Sequence, residues 1–145
     1  MLESLFVTLA LEAITEALTS AQVAGPVVVI GNAKLAAALR PTREVLAVGM
    51  TARAARRLGD TLADTSALEA GAVAAVIGAD VATSETWAAQ LHEWTRIVRD
   101  GGVVVLVDRG HAVEASRRAL CAGLTEIEQR HDGRTIVTSG LVTHL

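Results

Sequence analysis

Four histidines, one cysteine, a scatter of carboxylates and one arginine cluster are the side chains here that could do chemistry. His92, His111, His131 and His144 are spread along the second half of the chain. None stands four residues from another histidine, a cysteine or a useful carboxylate, so no helical spacing assembles a metal set. Cys121 has no second cysteine to pair with, which leaves neither a disulfide framework nor a thiolate cluster. A buried, inert thiol is the expectation. Asp108 and His111 follow an apolar run, where a general base could stand, although a plain surface loop accounts for them as well. Ser84 and Ser139 lack the surroundings of a nucleophile elbow, and no G-x-x-x-x-G-K-[ST] sequence supports an ATPase. Arg53, Arg56 and Arg57 could grip a phosphate or carboxylate; the commoner state of such a cluster is a solvated helix face. Neither a catalytic residue nor a metal ligand is expected.

The elements that would position these groups centre on Pro26 to Leu39, PVVVIGNAKLAAAL. Val27 to Ile30 run straight into Gly31, and a helix-forming segment, Lys34 to Leu39, follows. That is the pattern of a buried parallel strand, a tight turn and a crossover helix. In open α/β sheets the loop after the first strand is a usual place for a nucleotide-like ligand.

Upstream, Leu2 to Leu18 reads as a helix. Ser4, Thr8, Glu12 and Glu16 form a polar stripe, with Leu2, Leu5, Phe6, Leu9, Ala13 and Ala17 on one flank and Leu11, Ile14 and Leu18 on the other. So wide an apolar arc predicts that part packs on the sheet and part on a partner. Downstream, Val45 to Val48 is a second strand, and Thr51 caps a helix over Ala52 to Leu58 that Gly59 ends. Asp60 to Ala63 holds a very short third strand, and Ala72 to Ile77 a buried fourth. Thr83 or Ser84 caps a helix running to about Val98, with Trp87, Leu91, Trp94, Ile97 and Val98 on its apolar face and both tryptophans in the core. Asp100-Gly101-Gly102 reads as a turn, Val103 to Val107 as the fifth strand, and Asp108 to His111 as its exit loop. A helix over Ala112 to Ala122 leads to two strands, Leu124 to Arg130 and Thr135 to Val142, joined at Asp132-Gly133 as a hairpin.

A chain of 145 residues suits one domain, 1–145, with residues 1–24 as an N-terminal helix on the sheet or a partner. The hydrophobic fraction of 51% and mean hydropathy of +0.41 fit parallel strands buried on both faces. They also favour an apolar surface covered by a second subunit. The net charge of −3, the absence of tyrosine and the single phenylalanine argue against nucleic-acid binding. The first basic residue is Lys34, so no charged n-region of a secretory signal precedes it. The apolar run from Leu5 to Leu11 stops at Glu12, too short to span a bilayer. A reducing cytoplasm is the expected location.

Five strands with crossover helices and a closing antiparallel hairpin resemble the class I methyltransferase family, whose ligand is S-adenosylmethionine. The most specific resemblance lies between Trp87 and Arg109. There LHEWTRIVRDGGVVVLVDR is similar to the family's helix, Gly-Gly turn and fifth strand, with its frequent L-x-x-x-x-R-x-L-x-x-G-G pattern. AGLTEIEQRHDGRTIVTSG is similar to the family's last hairpin. The resemblance implies a doubly wound, mostly parallel α/β sheet in three α/β/α layers. It puts cofactor contacts at Gly31, Asn32, Ala33, Gly49, Asp64, Thr65 and Gly78.

The family's acidic residue before G-x-G-x-G falls on Val29, its first glycine on Gly31, its second on Ala33 and its third near Leu35. A Cβ at the later positions hinders the close approach of the backbone to the cofactor. Lys34 sets a cation beside a sulfonium, which disfavours binding. Gly49 and Met50 stand where a carboxylate usually holds the ribose. Asp64, with Thr65 behind it, matches the position that reaches the adenine amino group, and Asp80 is the one acidic residue at the exit of the fourth strand. The reading is of a degenerate methyltransferase-like domain without catalysis, a pseudoenzyme serving as a protein-binding, scaffolding or regulatory module. It is expected to be a homo-oligomer or to have a protein partner, and to hold no cofactor. The alternative is an active S-adenosylmethionine-dependent methyltransferase of a small molecule.

Overall fold

The computed structural model describes residues 2–144, with side chains from Ala10 onward. Leu2, Leu5, Phe6 and Leu9, expected on one flank of the first helix, lie outside the residues whose side chains are described. The chain opens with α1 (Leu2–Leu18), followed by β1 (Val27–Ile30), α2 (Ala33–Leu39), β2 (Val45–Val48), α3 (Ala52–Leu58) and β3 (Thr61–Leu62). It continues through a 3-10 turn (Thr65–Ala67), β4 (Val73–Ala79), α4 (Trp87–Ile97), β5 (Val98–Arg109), α5 (Ala112–Cys121), β6 (Thr125–Asp132) and β7 (Thr135–Leu141).

One sheet carries all the strands in the order β3-β2-β1-β4-β5-β7-β6. β1 to β5 run parallel, with β1 between β2 and β4; β7 runs antiparallel to both β5 and β6. The strands are apolar on both faces because each face is covered by helices. Val27, Val29, Ala75, Ile77, Val103, Val105 and Val107 point to the face packed by Ile14, Ala17 and Leu18 of α1 and Leu35, Ala36 and Leu39 of α2. Val28, Val76, Val104 and Leu106 point to the opposite face, under Leu91, Trp94 and Ile97 of α4 and Ala119 of α5. Burying a valine, leucine or isoleucine side chain fully stabilises the fold by about 1.5–3 kcal/mol each.

Three sequence expectations need correction here. α4 begins at Trp87, after Thr86 and not after Thr83 or Ser84, and has no side-chain cap bond; the Ser84 hydroxyl instead accepts the Thr86 N–H at 3.2 Å, in the turn before the helix. Asp100-Gly101-Gly102 is no chain-reversing turn. β5 runs through it as a bulge, since Val98 pairs with Val73 while Val103 already pairs with Ala75. Cys121 is exposed at the outer end of α5, beside Arg117 and the exposed Leu120, because the inward face of that helix belongs to Ala115 and Ala119.

The hairpin closes one residue later than expected. Asp132 and Thr135 are the last pair, and Gly133-Arg134 is the two-residue loop. Among the described residues no helix is long and apolar enough to cross a membrane, and no group of three or more His, Cys, Asp or Glu could hold a metal.

Candidate functional site

The carboxyl ends of β1 and β2 open into a cleft of about 470 Å³. At the end of β1, Gly31 turns the chain with φ +64°, and its N–H donates to Val48 O at 2.8 Å. Asn32 then caps α2, its Oδ1 accepting the Leu35 N–H at 3.0 Å. The β1–α2 turn contributes Gly31, Ala33 and Lys34 to the cleft. The opposite wall comes from the segment after β2, where Thr51 caps α3 by accepting the Ala54 N–H at 3.2 Å. Met50, Thr51, Arg53, Ala54 and Arg57 line it there. Arg53 and Arg57 stand four apart and share one helix face; Arg56 is not part of the lining.

The electrostatics of the cleft are one-sided. Three of its lining residues are cations and none is a carboxylate. Among the described residues Lys34, Arg53 and Arg57 have no ion pair, whereas Arg96, Arg117, Arg118 and Arg130 each have a glutamate partner.

Of the residues singled out from sequence, Gly31 and Ala33 line this cleft and Gly49 precedes its Met50. Asn32 and Thr51 hold the two helix starts. Asp64 caps the 3-10 turn: its Oδ1 accepts the Ser66 N–H at 2.8 Å and also the Ser66 hydroxyl, and these bonds hold its carboxyl below the usual range. Thr65 is buried against α4, its hydroxyl 3.1 Å from Glu93 Oε2. Gly78 lies under Trp94, where a Cβ would come within 2.2 Å of the indole ring.

A second group gathers at the carboxyl ends of β4 and β5. Asp108 lies inside β5, two residues after Leu106 on the same face, and is only 2% exposed; the expected exit loop begins later. Its Oδ1 accepts the Ala82 N–H at 2.9 Å, and Oδ2 has no partner. Burial pushes its carboxyl up; the Ala82 N–H opposes this, Asp80 adds to it, and His111 and Arg118 oppose it. Asp80 and His111 flank it with φ of 59° and 58°, values that non-glycine residues rarely adopt. Period-two alternation from Val104 through Leu106 was the signal for Asp108's burial. The convergence of Lys34 with Arg53 and Arg57 had none, because it needs β1 and β2 to be neighbours.

The strand order 3-2-1-4-5-7-6 with an antiparallel β7, clothed by helices on both faces, is the class I methyltransferase fold. Solved structures of S-adenosylmethionine-dependent methyltransferases superpose along nearly the whole chain. One chain of the complex between the Haloferax volcanii Trm112 methyltransferase activator and a methyltransferase matches with TM-score 0.73 at 17% identity, over 99% of this chain and 93% of that one. A methyltransferase from Methanococcus maripaludis matches with TM-score 0.70 at 13% identity, over 100% and 89% of the two chains. A Thermotoga maritima methyltransferase matches with TM-score 0.68 at 14% identity, over 97% and 94%. At these identities the likeness is one of fold. No family model matches the chain, and no curated protein does.

Proposed function

We propose that this chain is a methyltransferase-fold module that does not hold S-adenosylmethionine and does not methylate. It acts by binding, as a scaffolding or regulatory domain, either as a homo-oligomer or with a separate protein partner. The observation that carries the reading is the cleft at β1 and β2, walled by Lys34, Arg53 and Arg57 and by no carboxylate. The donor set does not suit S-adenosylmethionine: a sulfonium beside unpaired cations is repelled, and a ribose diol finds no carboxylate at Gly49 or Met50. Asp64 is the carboxylate left from the expected set, and one of its oxygens is already engaged by Ser66. The structural match to a chain from a complex with a methyltransferase activator supports a partner for this fold. A cytoplasmic location belongs to the same reading.

One observation favours the second reading, an active methyltransferase of a small acceptor. The unpartnered Oδ2 of Asp108 lies buried at the carboxyl end of β5, the rim at which ligands are held in open α/β sheets.

Calorimetric titration with S-adenosylmethionine and S-adenosylhomocysteine separates the two. Silence up to millimolar ligand is the expected result. Micromolar binding of either ligand overturns the first reading in favour of the second. Light scattering then tests the partner: a monomer that stays dispersed without residues 1–24 removes the homo-oligomer.

A further inference from the structure

We propose that the cleft between the β1–α2 turn and α3 binds a small diphosphate ester of nucleotide size, gripped by Lys34, Arg53 and Arg57. The proposal rests on the reading above, that this cleft is no sulfonium site.

The charge distribution is the first argument. Between Gly31 and Gly59 the chain carries six basic residues and a single acidic one, within a chain of net charge −3. That one acid, Glu44, lies at the start of β2, at the other end of the sheet from the cleft. Lys34 is the only lysine in the chain, and it lines this cleft. Like charges four apart on a helix repel, so Arg53 and Arg57 hold a cost that an anion between them relieves.

Shape is the second. A volume of about 470 Å³ falls in the range of small-ligand clefts. Three cations from the β1–α2 turn and α3 line the cleft, a number that matches the charge of a diphosphate better than that of a single phosphate or carboxylate. Guanidinium forks match phosphate oxygens in pairs, and an ammonium adds a mobile third contact. Met50, Ala33 and Ala54 supply an apolar surface for the part of the ligand beyond the phosphates.

Calorimetry with pyrophosphate, adenosine diphosphate and adenosine tests the proposal on the full chain. Pyrophosphate and adenosine diphosphate are expected to bind, with affinity falling as salt rises, and adenosine at least tenfold more weakly. The Arg53→Gln/Arg57→Gln double variant is expected to lose at least tenfold in affinity for adenosine diphosphate, whereas Arg56→Gln, on the same exposed helix, retains it. On the unaltered chain, saturating adenosine diphosphate should protect Lys34 from amine acylation, read by mass spectrometry.

Silence toward adenosine diphosphate and pyrophosphate at millimolar concentration overturns the proposal; if S-adenosylmethionine is silent too, the reading above stands without it. Binding of S-adenosylmethionine with silence toward adenosine diphosphate overturns both. Unchanged affinity in the double variant, or unprotected Lys34, places the ligand elsewhere and also overturns it. So does an oligonucleotide that binds more tightly than adenosine diphosphate and gains affinity with length.

Discussion

Asp108 and Ala82 are joined at the carboxyl edge of the sheet: the Ala82 N–H donates to Asp108 Oδ1 at 2.9 Å, and Oδ2 is left buried without a partner. Half of that carboxylate is satisfied and half is not. In the low dielectric of the core the unpaired half penalises the charged form.

The pH dependence follows from that imbalance. Burial raises the Asp108 carboxyl above its ordinary value, so the native chain takes up this proton more readily than the unfolded chain. Its contribution to stability therefore falls as pH rises from the ordinary carboxylate range to the raised native value, and is constant above it. Asp108→Asn keeps the acceptor for Ala82 and removes the charge. It should be more stable than the parent by about 1 kcal/mol near neutrality, with the difference shrinking on acidification. Urea unfolding at a series of pH values measures both; an identical pH slope in the two proteins would contradict the assignment.

Gly78 faces the Trp94 ring, and a Cβ there would sit 2.2 Å from it. Gly78→Ala should lose about 1–3 kcal/mol through overpacking. In a Trp94→Leu background the added methyl should cost much less, a coupling that a double-mutant cycle in chemical denaturation reads directly. Equal costs in the two backgrounds would mean that the glycine is needed for another reason.

Asn32 holds the start of α2 and, through it, the turn that carries Lys34. Asn32→Ala should cost about 1 kcal/mol, and Asn32→Asp should retain most of the cap. Thermal or urea unfolding of the pair checks this, since an alanine variant as stable as the parent leaves the cap without weight.

Arg118 ties three elements together. It donates to Val81 O at 2.6 Å and Ser84 O at 2.9 Å, pairs with Glu114 at 2.8 Å and lies 5.1 Å over the Trp87 ring. Arg118→Met should cost roughly 1–3 kcal/mol and speed amide exchange between Val81 and Thr86; Arg118→Lys should not restore it, because an ammonium lacks the fork. The side-chain bonds from Arg117 and then Arg118 hold the Glu114 carboxyl down to about 2. This part of the clamp is complete above the ordinary glutamate range and is lost as pH falls through that range toward about 2. Unchanged exchange rates in Arg118→Met would show that the loop is held by other contacts.

What was legible in the sequence was local. β1, β2 and α3 fall at their expected residues, because an apolar run ending in Gly31, or an Ala-Arg run between Thr51 and Gly59, needs nothing distant to define it. The short β3 and the closing hairpin were legible for the same reason. What failed depended on contacts from far along the chain. Thr83 looks like a helix cap, yet Arg118 pins Val81 and Ser84 into an irregular connection and α4 starts later. Gly101-Gly102 has the composition of a turn, but the pairing of Val98 with Val73 keeps it in the sheet. At the candidate site the β1 turn and its Lys34 were legible and the cluster was not, since Lys34 meets Arg53 and Arg57 only after β1 and β2 pair.

The sheet's two rims have a consequence of their own. One rim is β3, two residues long; the other is β6, studded with Glu126, Glu128, Arg130 and Asp132 and broken by a register shift between Thr125 and Glu128. A short rim and a charged, irregular rim both resist the addition of a foreign strand. A sequence with an apolar β4 and a valine-rich β5 at its centre has the makings of a fibril, and these rims deny it a template from which one could grow.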